Sequence, residues 1–264
     1  MLRERRFTLP LQALEPMDLD GDGVATLLLL NPTGGILAGD RLDTDVSLGP
    51  GSRVCLSTPS ATRVYRSPGP PAVQRVTIGV ARGATLEWIP DHLIPSPGAR
   101  LRQTTEIVLA PDATLLHLDA WAAGRLARDE VWGFDLLDSS LLVRDEVGPL
   151  LRERCILSGG AGWNGLGGTE GFGYVATFAA IRAGDSGKRG GDGQAWEELA
   201  HALQGDLASA GPECRAGVTR LGRGGVLARL LCPGAPALAA CVEALWTRCR
   251  RELLGLGPLR LRKL

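Results

Sequence analysis

Alternation of apolar and polar residues dominates the first two thirds of the chain and predicts β-strands. In RLDTDVSL (41–48), apolar or small side chains take every second position and charged ones mostly fill the positions between, as in a strand with one buried face. VATLLLL (24–30) is a continuous apolar run that fits a strand buried on both faces. Similar short segments, separated by turn residues such as GPGS, SPGPP and APDA, continue to residue 157. The pattern predicts a mainly β body that is a sandwich, a barrel or a β-solenoid, although no fixed repeat marks an ideal solenoid.

Two segments near the C-terminus have the periodicity of amphipathic helices instead. QAWEELAHALQG (194–205) and residues 236–254 place apolar side chains at spacings of three and four. We expect Gly205 to end the first helix and Gly255 to cap the second. The segment 214–232 between them predicts a hairpin with GRGG at its turn.

The order of these elements predicts one mainly β domain over residues 1–264, with about two α-helices near its C-terminus. The β-rich body takes residues 1–182, with a solenoid-like or sandwich topology. The helix–hairpin–helix part takes residues 193–264. The glycine-rich segment 183–193 has the composition of a loop that joins them.

Charge and hydropathy exclude several classes of partner. The 264-residue chain carries 29 basic and 29 acidic residues, and a net charge near zero gives no support for a nucleic acid or a membrane surface as partner. The sequence has no apolar run of about 18 residues, and MLRERRFTLP lacks the apolar core of a signal peptide. We therefore expect a cytoplasmic protein without a transmembrane helix.

Six cysteines occur, and no two of them are spaced as C-x-x-C. This spacing argues against a zinc ribbon or a redox motif. In a reducing compartment we expect all six to be buried thiols.

The segment NPTGGILAGDRLDTDV (31–46) places three glycines within six positions, directly before Asp40. A P-loop needs a lysine and a helix after the glycines, and a dinucleotide fingerprint also needs a helix. Here a strand follows, so neither phosphate-binding motif fits. We interpret the glycines as a corner between strands that brings Asp40 beside an internal polar path.

Some ionisable residues lie at positions where their strands are otherwise apolar. In ATLLHLDAW, His117 and Asp119 share a face with Leu115, and in LLRERCIL, Glu153 shares a face with Leu151. A buried acid must be paired, hydrated or bound to a cation, since an isolated buried charge is very costly. Salt bridges to nearby arginines are one explanation. The other is a polar passage whose oxygen and imidazole ligands hold a divalent ion loosely.

Four longer motifs occur in order: NPTGGILAGDRL, STPSATRVYRS, LEWIPDHLIP and WAAGRLARDE. Together they resemble the UreD family of urease accessory proteins, called UreH in some organisms. The family patterns are P-x-G-G-x-x-x-G-D, T-x-x-A-T-[KR]-x-Y-[KR]-S, W-x-P-[DE] and W-x-x-G-R-x-[AG]-R-x-E. The resemblance is close over residues 24–180 and covers only the general layout in the C-terminal third.

The resemblance implies a non-enzymatic, cytoplasmic factor that matures the nickel-containing active site of urease. Members of this family bind the accessory protein UreF, recruit the GTPase UreG through that complex, and dock on apo-urease. Their fold is a β-rich body of helical topology with a few helices. A tunnel has been proposed to carry Ni²⁺ through them, so the resemblance implies transient Ni²⁺ and no tightly bound cofactor.

The resemblance also assigns positions along the polar path to residues of this chain. They are Asp40, Ser60, Thr62, His117, Asp119 and Glu153. Many relatives have a second acid after the G-D turn, whereas this chain has Arg41. Unless Arg41 points outward or pairs with Asp43, its charge would oppose the passage of a cation.

Two other functions are compatible with the same residues. A β-rich carbohydrate-active enzyme would use two carboxylates, for example Asp40 and Asp119, across a cleft. It usually also needs exposed aromatic residues, and only 5% of this chain is aromatic. A purely structural adaptor would use the inward acids only in ion pairs. For either protein-binding function, helix 236–254 and the strand edges are the candidate surface for UreF.

Overall fold

A computed structural model of the chain describes residues 2–66, 68–159, 161–184 and 192–261. The described residues form two α-helices and 17 strands, so the prediction of a mainly β fold with two C-terminal helices is confirmed. The strands are, in chain order, β1 (Gln12–Ala13), β2 (Ala25–Leu30), β3 (Arg41–Leu48), β4 (Arg53–Ser57), β5 (Thr62–Val64), β6 (Ala72–Val80), β7 (Thr85–Ile89), β8 (Leu93–Pro95), β9 (Arg100–Leu109), β10 (Thr114–Ala122), β11 (Gly124–Arg125), β12 (Glu130–Val131), β13 (Leu136–Arg144), β14 (Pro149–Ser158), β15 (Tyr174–Arg182), β16 (Arg215–Arg220) and β17 (Gly225–Cys232). The helices are α1 (Asp192–Ala210) and α2 (Ala235–Cys249).

The chain winds between two facing sheets as a solenoid does. Strands β2, β4, β7 and β10 are parallel neighbours in the large sheet. Strands β3, β6, β9 and β13, which follow them in sequence, are parallel neighbours in the small sheet. Each turn of the winding thus adds one long strand to each sheet. The loops at the corners differ in length, which explains why the sequence shows no fixed repeat.

Antiparallel strands complete both sheets. Strand β14 returns along β13 at the edge of the small sheet. Strands β15, β17 and β16 extend the large sheet beyond β10. The predicted hairpin is therefore β16–β17, and it continues the sheet of the β-rich body.

Both helices pack on the outer face of the large sheet. Their apolar stripes, including Leu203 and Leu245, form one buried cluster with Leu116, Leu118 and Phe178 of β10 and β15. The molecule therefore has three layers: the helices, the large sheet and the small sheet.

The predicted end of the first helix at Gly205 is wrong, because α1 continues to Ala210. Leu203 and Leu207 are both buried against the sheet, and this packing outweighs the cost of about 1 kcal/mol for an interior glycine. The predicted cap at Gly255 is confirmed: a π-helical turn, Arg250–Leu254, follows α2, and Gly255 adopts φ of +66°.

A buried ion network joins the helix layer to the large sheet. Arg250 donates to both carboxylate oxygens of Glu87 on β7, at 2.9 and 3.0 Å, and Trp246 donates to the same carboxylate. Arg250 also donates to Asp22, ahead of β2, and to the carbonyl oxygen of Gly257. The side chains of Glu87 and Arg250 are fully buried, and this guanidinium joins the end of the helix layer to β7 and to the segment ahead of β2.

Most of the predicted loop 183–193 lies outside the described residues, as does Ser67 of the second motif. Among the described residues, no helix is long and apolar enough to cross a membrane. The expectation that all six cysteines are buried is wrong for Cys155 and Cys214, which are half-buried.

Candidate functional site

The four sequence motifs stack on one corner of the winding. Ile36 of the glycine turn forms a parallel bridge with Val64 of β5, and β5 pairs in parallel with β8. Leu93 of β8 then pairs with Trp121, at the start of the fourth motif. Ile36, Val64 and Leu93 belong to one buried cluster beneath this corner. The motifs are therefore neighbours in space, one on each turn of the winding.

Gly35 allows this stacking because its backbone lies directly against the next turn. A Cβ at Gly35 would lie 2.5 Å from a ring carbon of Tyr65 and 2.7 Å from the carbonyl oxygen of Arg63. The predicted corner is confirmed, and Gly34 and Gly39 at its two ends adopt φ of +85° and +83°, where glycine is favoured.

We expect Gly35→Ala to lower the free energy of unfolding by about 1–3 kcal/mol, since the backbone of the next turn must move to admit the methyl group. Denaturant titration measures the change. Gly79→Ala is the matched control, because a Cβ there meets no atom within 4 Å. Equal stability of the two variants would contradict this role for Gly35.

A layer of polar side chains crosses the space between the two sheets. On the small sheet, Gln74, Gln103, Ser139 and Cys155 are register partners on four adjacent strands. Apolar residues lie on both sides of this row and form two separate buried clusters. The polar layer therefore divides the core between the sheets into two parts.

His117 and Asp119 of β10 face this layer from the large sheet, as their strand phase predicts. Gln103 Nε2 and Ser139 Oγ donate to the carboxylate of Asp119 at 3.5 and 3.4 Å. These hydrogen bonds are long, so the carboxylate is only weakly paired. Nδ1 of His117 is buried and has no hydrogen-bond partner among the described residues.

A cavity of about 230 Å³ lies along the polar layer, between the two sheets. Thr58 Oγ1 accepts a hydrogen bond from the N–H of Asp91 at 2.8 Å, which holds two of the loops around the cavity together. This volume accommodates several water molecules beside polar groups that can bind them. The polar residues of its described lining include Ser60, Thr62, Gln103, His117, Asp119 and Ser139.

Burial shifts the protonation of both ionisable residues of β10 towards the neutral form. Asp119 retains some access from the cavity but lies deep in the protein, and burial raises its pKa against the opposing effect of Gln103 and Ser139. The charge of Glu153 raises it further. Burial lowers the pKa of His117 to about 4, so its imidazole is neutral at physiological pH and retains a lone pair for a metal ion.

Comparison with known proteins agrees with the motifs on this corner. The family model described as UreD urease accessory protein matches residues 1–263. The chain belongs to the UreD family. It is 34% identical over 235 residues to the urease accessory protein UreD of Alkalilimnicola ehrlichii, covering 87% of this chain and 74% of the relative. It is also 34% identical over 268 residues to UreD of Cupriavidus metallidurans, covering 98% and 87%, and 32% identical over 256 residues to UreD of Actinomyces naeslundii, covering 96% and 89%.

The structure brings together four of the six site residues that the UreD resemblance assigns, and it places the other two outside the described cavity lining. Asp40 accepts a hydrogen bond from the N–H of Leu37 at 2.9 Å, and its own N–H donates to the Leu37 carbonyl. Its carboxylate thus closes the glycine corner. A metal contact for Asp40 stays a prediction. Arg41 lies on the exposed face of β3, so its charge points away from the cavity.

Glu153 faces the space between the sheets, but it forms an ion pair. Its partner is Arg229 of β17, with an N–O distance of 2.5 Å. Arg154, the next residue in sequence, pairs with Asp138 instead, and Arg125 pairs with Glu130. Glu153 thus forms a salt bridge, but its partner is Arg229 from the hairpin of the C-terminal part and not one of the arginines expected from the sequence.

Sequence reasoning missed three further residues of the polar layer in this UreD protein. Gln74, Gln103 and Ser139 each occupy a position on the inward face of a strand, and this face is mostly apolar, as it is for Asp119. The phase argument that found the acids would have found these uncharged residues as well.

Proposed function

We propose that this chain is a non-enzymatic maturation factor of urease that binds UreF, UreG and apo-urease and passes Ni²⁺ along the polar layer between its two sheets. Membership of the UreD urease accessory protein family supports the role in urease maturation. The observation that carries the nickel path is the pair formed by His117 and Asp119 in the wall of one cavity.

The chemistry of this pair suits a borderline divalent ion such as Ni²⁺, which accepts imidazole nitrogen and carboxylate oxygen. The buried Nδ1 of His117 has no protein partner among the described residues, and the carboxylate of Asp119 has only long hydrogen bonds. A passing cation would satisfy both groups at the same time.

Protonation keeps the binding weak, as a path for a transported ion requires. Burial raises the pKa of Asp119, so a cation must displace a proton that this carboxyl holds more tightly than an exposed one. Amide and hydroxyl groups supply most of the remaining polar contacts, and these are weaker ligands for Ni²⁺ than carboxylate or imidazole.

The enzyme alternative loses the pair of carboxylates named for it, Asp40 and Asp119. Asp119 lines the cavity, whereas Asp40 is not among the described lining residues. The Asp40 carboxylate instead closes the corner that leads into β3. The adaptor alternative is favoured by one observation, the Glu153–Arg229 ion pair. The experiment must therefore separate Glu153 from the residues of the cavity.

We expect Asp119→Asn to lower the nickel content of urease on the order of tenfold in cells that lack their own UreD and express this chain with its matched partners. The amide keeps the shape of the side chain but removes the anionic ligand. Nickel per urease is measured by elemental analysis, together with urease activity. Asp43→Asn, on the exposed face of β3, is the matched control and is expected to change neither.

Co-purification of UreF, UreG and urease with each variant separates transfer from assembly. Normal complexes with nickel-poor urease support the proposed path. Full nickel content of urease in an Asp119→Asn/His117→Gln double variant would eliminate the proposed path and leave the adaptor alternative.

Glu153→Gln is tested alone, because a loss of partner complexes in this variant indicates that its ion pair with Arg229 is structural. Failure of the wild-type chain itself would contradict the role in urease maturation.

The surface that binds UreF stays a prediction. The exposed face of α2 is the candidate, and reversing the charge of Glu243, which is exposed on this helix, tests it. Unchanged co-purification of UreF would remove α2 from consideration.

A further inference from the structure

Three cysteines that are distant in sequence converge beneath the helix layer. Cys214 lies in the turn after α1, Cys232 ends β17, and Cys241 lies in the middle of α2. Their sulfur atoms all lie within 4.8 Å of one another. All three are free thiols in this structure.

This spacing is close to that of a metal-thiolate site. Metal–sulfur bonds of about 2.3 Å place three sulfurs roughly 4 Å apart around one ion. Because each sulfur atom lies within 4.8 Å of the other two, the three surround a common centre. A small rotation of each side chain would bring all three into contact with one ion.

The backbone around the cluster is fitted to the sulfurs. A Cβ at Gly211 would lie 2.4 Å from Sγ of Cys241 and 3.0 Å from Sγ of Cys214. The turn is closed by the N–H of Cys214, which donates to the carbonyl oxygen of Gly211 at 2.9 Å. Glycine at this position lets the turn lie directly on two of the three sulfurs.

The cluster is enclosed on one side and accessible on the other. Cys232 and Cys241 are fully buried, whereas Cys214 is half-buried. An ion can therefore enter beside Cys214. The adjacent Glu213 is exposed, and its carboxylate or a water molecule is available to complete a fourth coordination position.

We infer that Cys214, Cys232 and Cys241 form a binding site for one thiophilic d¹⁰ cation, Zn²⁺ or Cu⁺. The site is separate from the oxygen- and nitrogen-lined cavity and does not depend on the proposed nickel path. Its ligands come from a turn, a strand and a helix, so a bound ion cross-links the helix layer to the large sheet.

Binding at this site displaces protons. Burial raises the pKa of Cys241 to about 11 and raises that of Cys232 further. Without metal, Cys232 and Cys241 are therefore protonated at neutral pH, and each of them releases one proton to solvent when it binds the ion as a thiolate. Metal affinity should consequently rise with pH.

The test is metal binding by the full-length chain, purified with reductant and without oxygen. Zn²⁺ and Cu⁺ are offered separately against a competing chelator, and bound metal is measured by elemental analysis. Co²⁺ is a third probe, because its thiolate complexes have a ligand-to-metal charge-transfer absorption. We expect one ion per chain, a rise in Tm on binding, and the charge-transfer band.

Cys241→Ala is expected to abolish the retained ion and the cobalt band. Cys249→Ala removes another buried thiol from the same helix outside the cluster, and it is expected to retain both. If Cys241→Ala does not fold, Cys214→Ala tests the same point at a half-buried position. The inference is overturned if the wild-type chain retains none of the three metals, if Cys241→Ala or Cys214→Ala retains as much as Cys249→Ala, or if two of the cysteines form a disulfide and reduction does not restore binding.

Discussion

Replacing Glu87 with alanine is expected to lower the free energy of unfolding by about 3–5 kcal/mol. The variant leaves the guanidinium of Arg250 in a fully buried position with one of its two carboxylate partners removed. It also removes the acceptor of the Trp246 indole N–H. A loss of this size is a large part of the total stability of an ordinary domain, which is about 5–15 kcal/mol.

The expected loss does not mean that the ion pair itself is strongly stabilising. Burial raises the pKa of Glu87 even though the adjacent Arg250 opposes this shift, so desolvation outweighs the attraction of the partner. The cost of Glu87→Ala arises because a buried charge loses its counter-charge. Glu87→Gln retains the shape and some hydrogen bonds, so it should be less destabilised than Glu87→Ala.

Denaturant unfolding of Glu87→Ala and Glu106→Ala provides the comparison. Glu106 also pairs with an arginine, Arg144, at 2.9 Å, but both side chains are more than 40% exposed. An exposed ion pair contributes at most about 1 kcal/mol, so Glu106→Ala should be nearly neutral. Equal effects at the two positions would show that the buried network does not hold the helix layer on the sheet.

Acid is expected to destabilise the wild-type chain through His117, by about 3 kcal/mol between pH 7.5 and pH 4. The pKa of this imidazole is about 4 in the folded protein and 6.5 as the reference value. Between these values the unfolded state binds more protons than the folded state. The free energy of unfolding therefore falls as the pH decreases through this window, and the contribution is fully present only above pH 6.5.

His117→Gln should remove this part of the pH dependence, because glutamine does not titrate. The free energy of unfolding is measured at pH 7.5 and pH 4.5 for the wild type and for His117→Gln. The loss of stability between these two pH values is then compared between the two proteins. Asp119 faces the same cavity and titrates in the opposite sense, since burial raises its pKa. The same comparison is therefore repeated with Asp119→Asn present in both proteins, so that Asp119 no longer titrates.

His201→Gln is the matched control for this experiment, because His201 is exposed on α1. It should leave the pH dependence of the wild type unchanged. If His117→Gln loses as much stability in acid as the wild type does, the imidazole of His117 is not buried in its neutral form.

Strand phase alone predicted much of the site, because alternation determines which face a side chain takes once one face is buried. It placed His117, Asp119 and Glu153 correctly between the sheets. It could not predict that Glu153 meets Arg229, since that contact depends on how the C-terminal hairpin extends the large sheet.

The helix layer was the main source of error. In β7, the side chain of Glu87 takes the face opposite to that of Leu86 and Trp88, which from the sequence alone is the face expected to meet solvent. In the structure, α2 covers this face of the sheet. The cysteine cluster was missed for a similar reason, because its ligands come from three elements and show no metal-binding spacing in the sequence. Both features depend on packing between segments that are distant in the chain.

The winding between two sheets also has a consequence for how the polar layer can change. Gln74, Gln103 and Ser139 are adjacent in space, yet each belongs to a different turn of the chain. A substitution at one of them changes one side chain of the polar layer and leaves the backbone pairing of the neighbouring strands in register. The polarity of the interior can therefore be changed one position at a time, by evolution or by design, without rebuilding the scaffold.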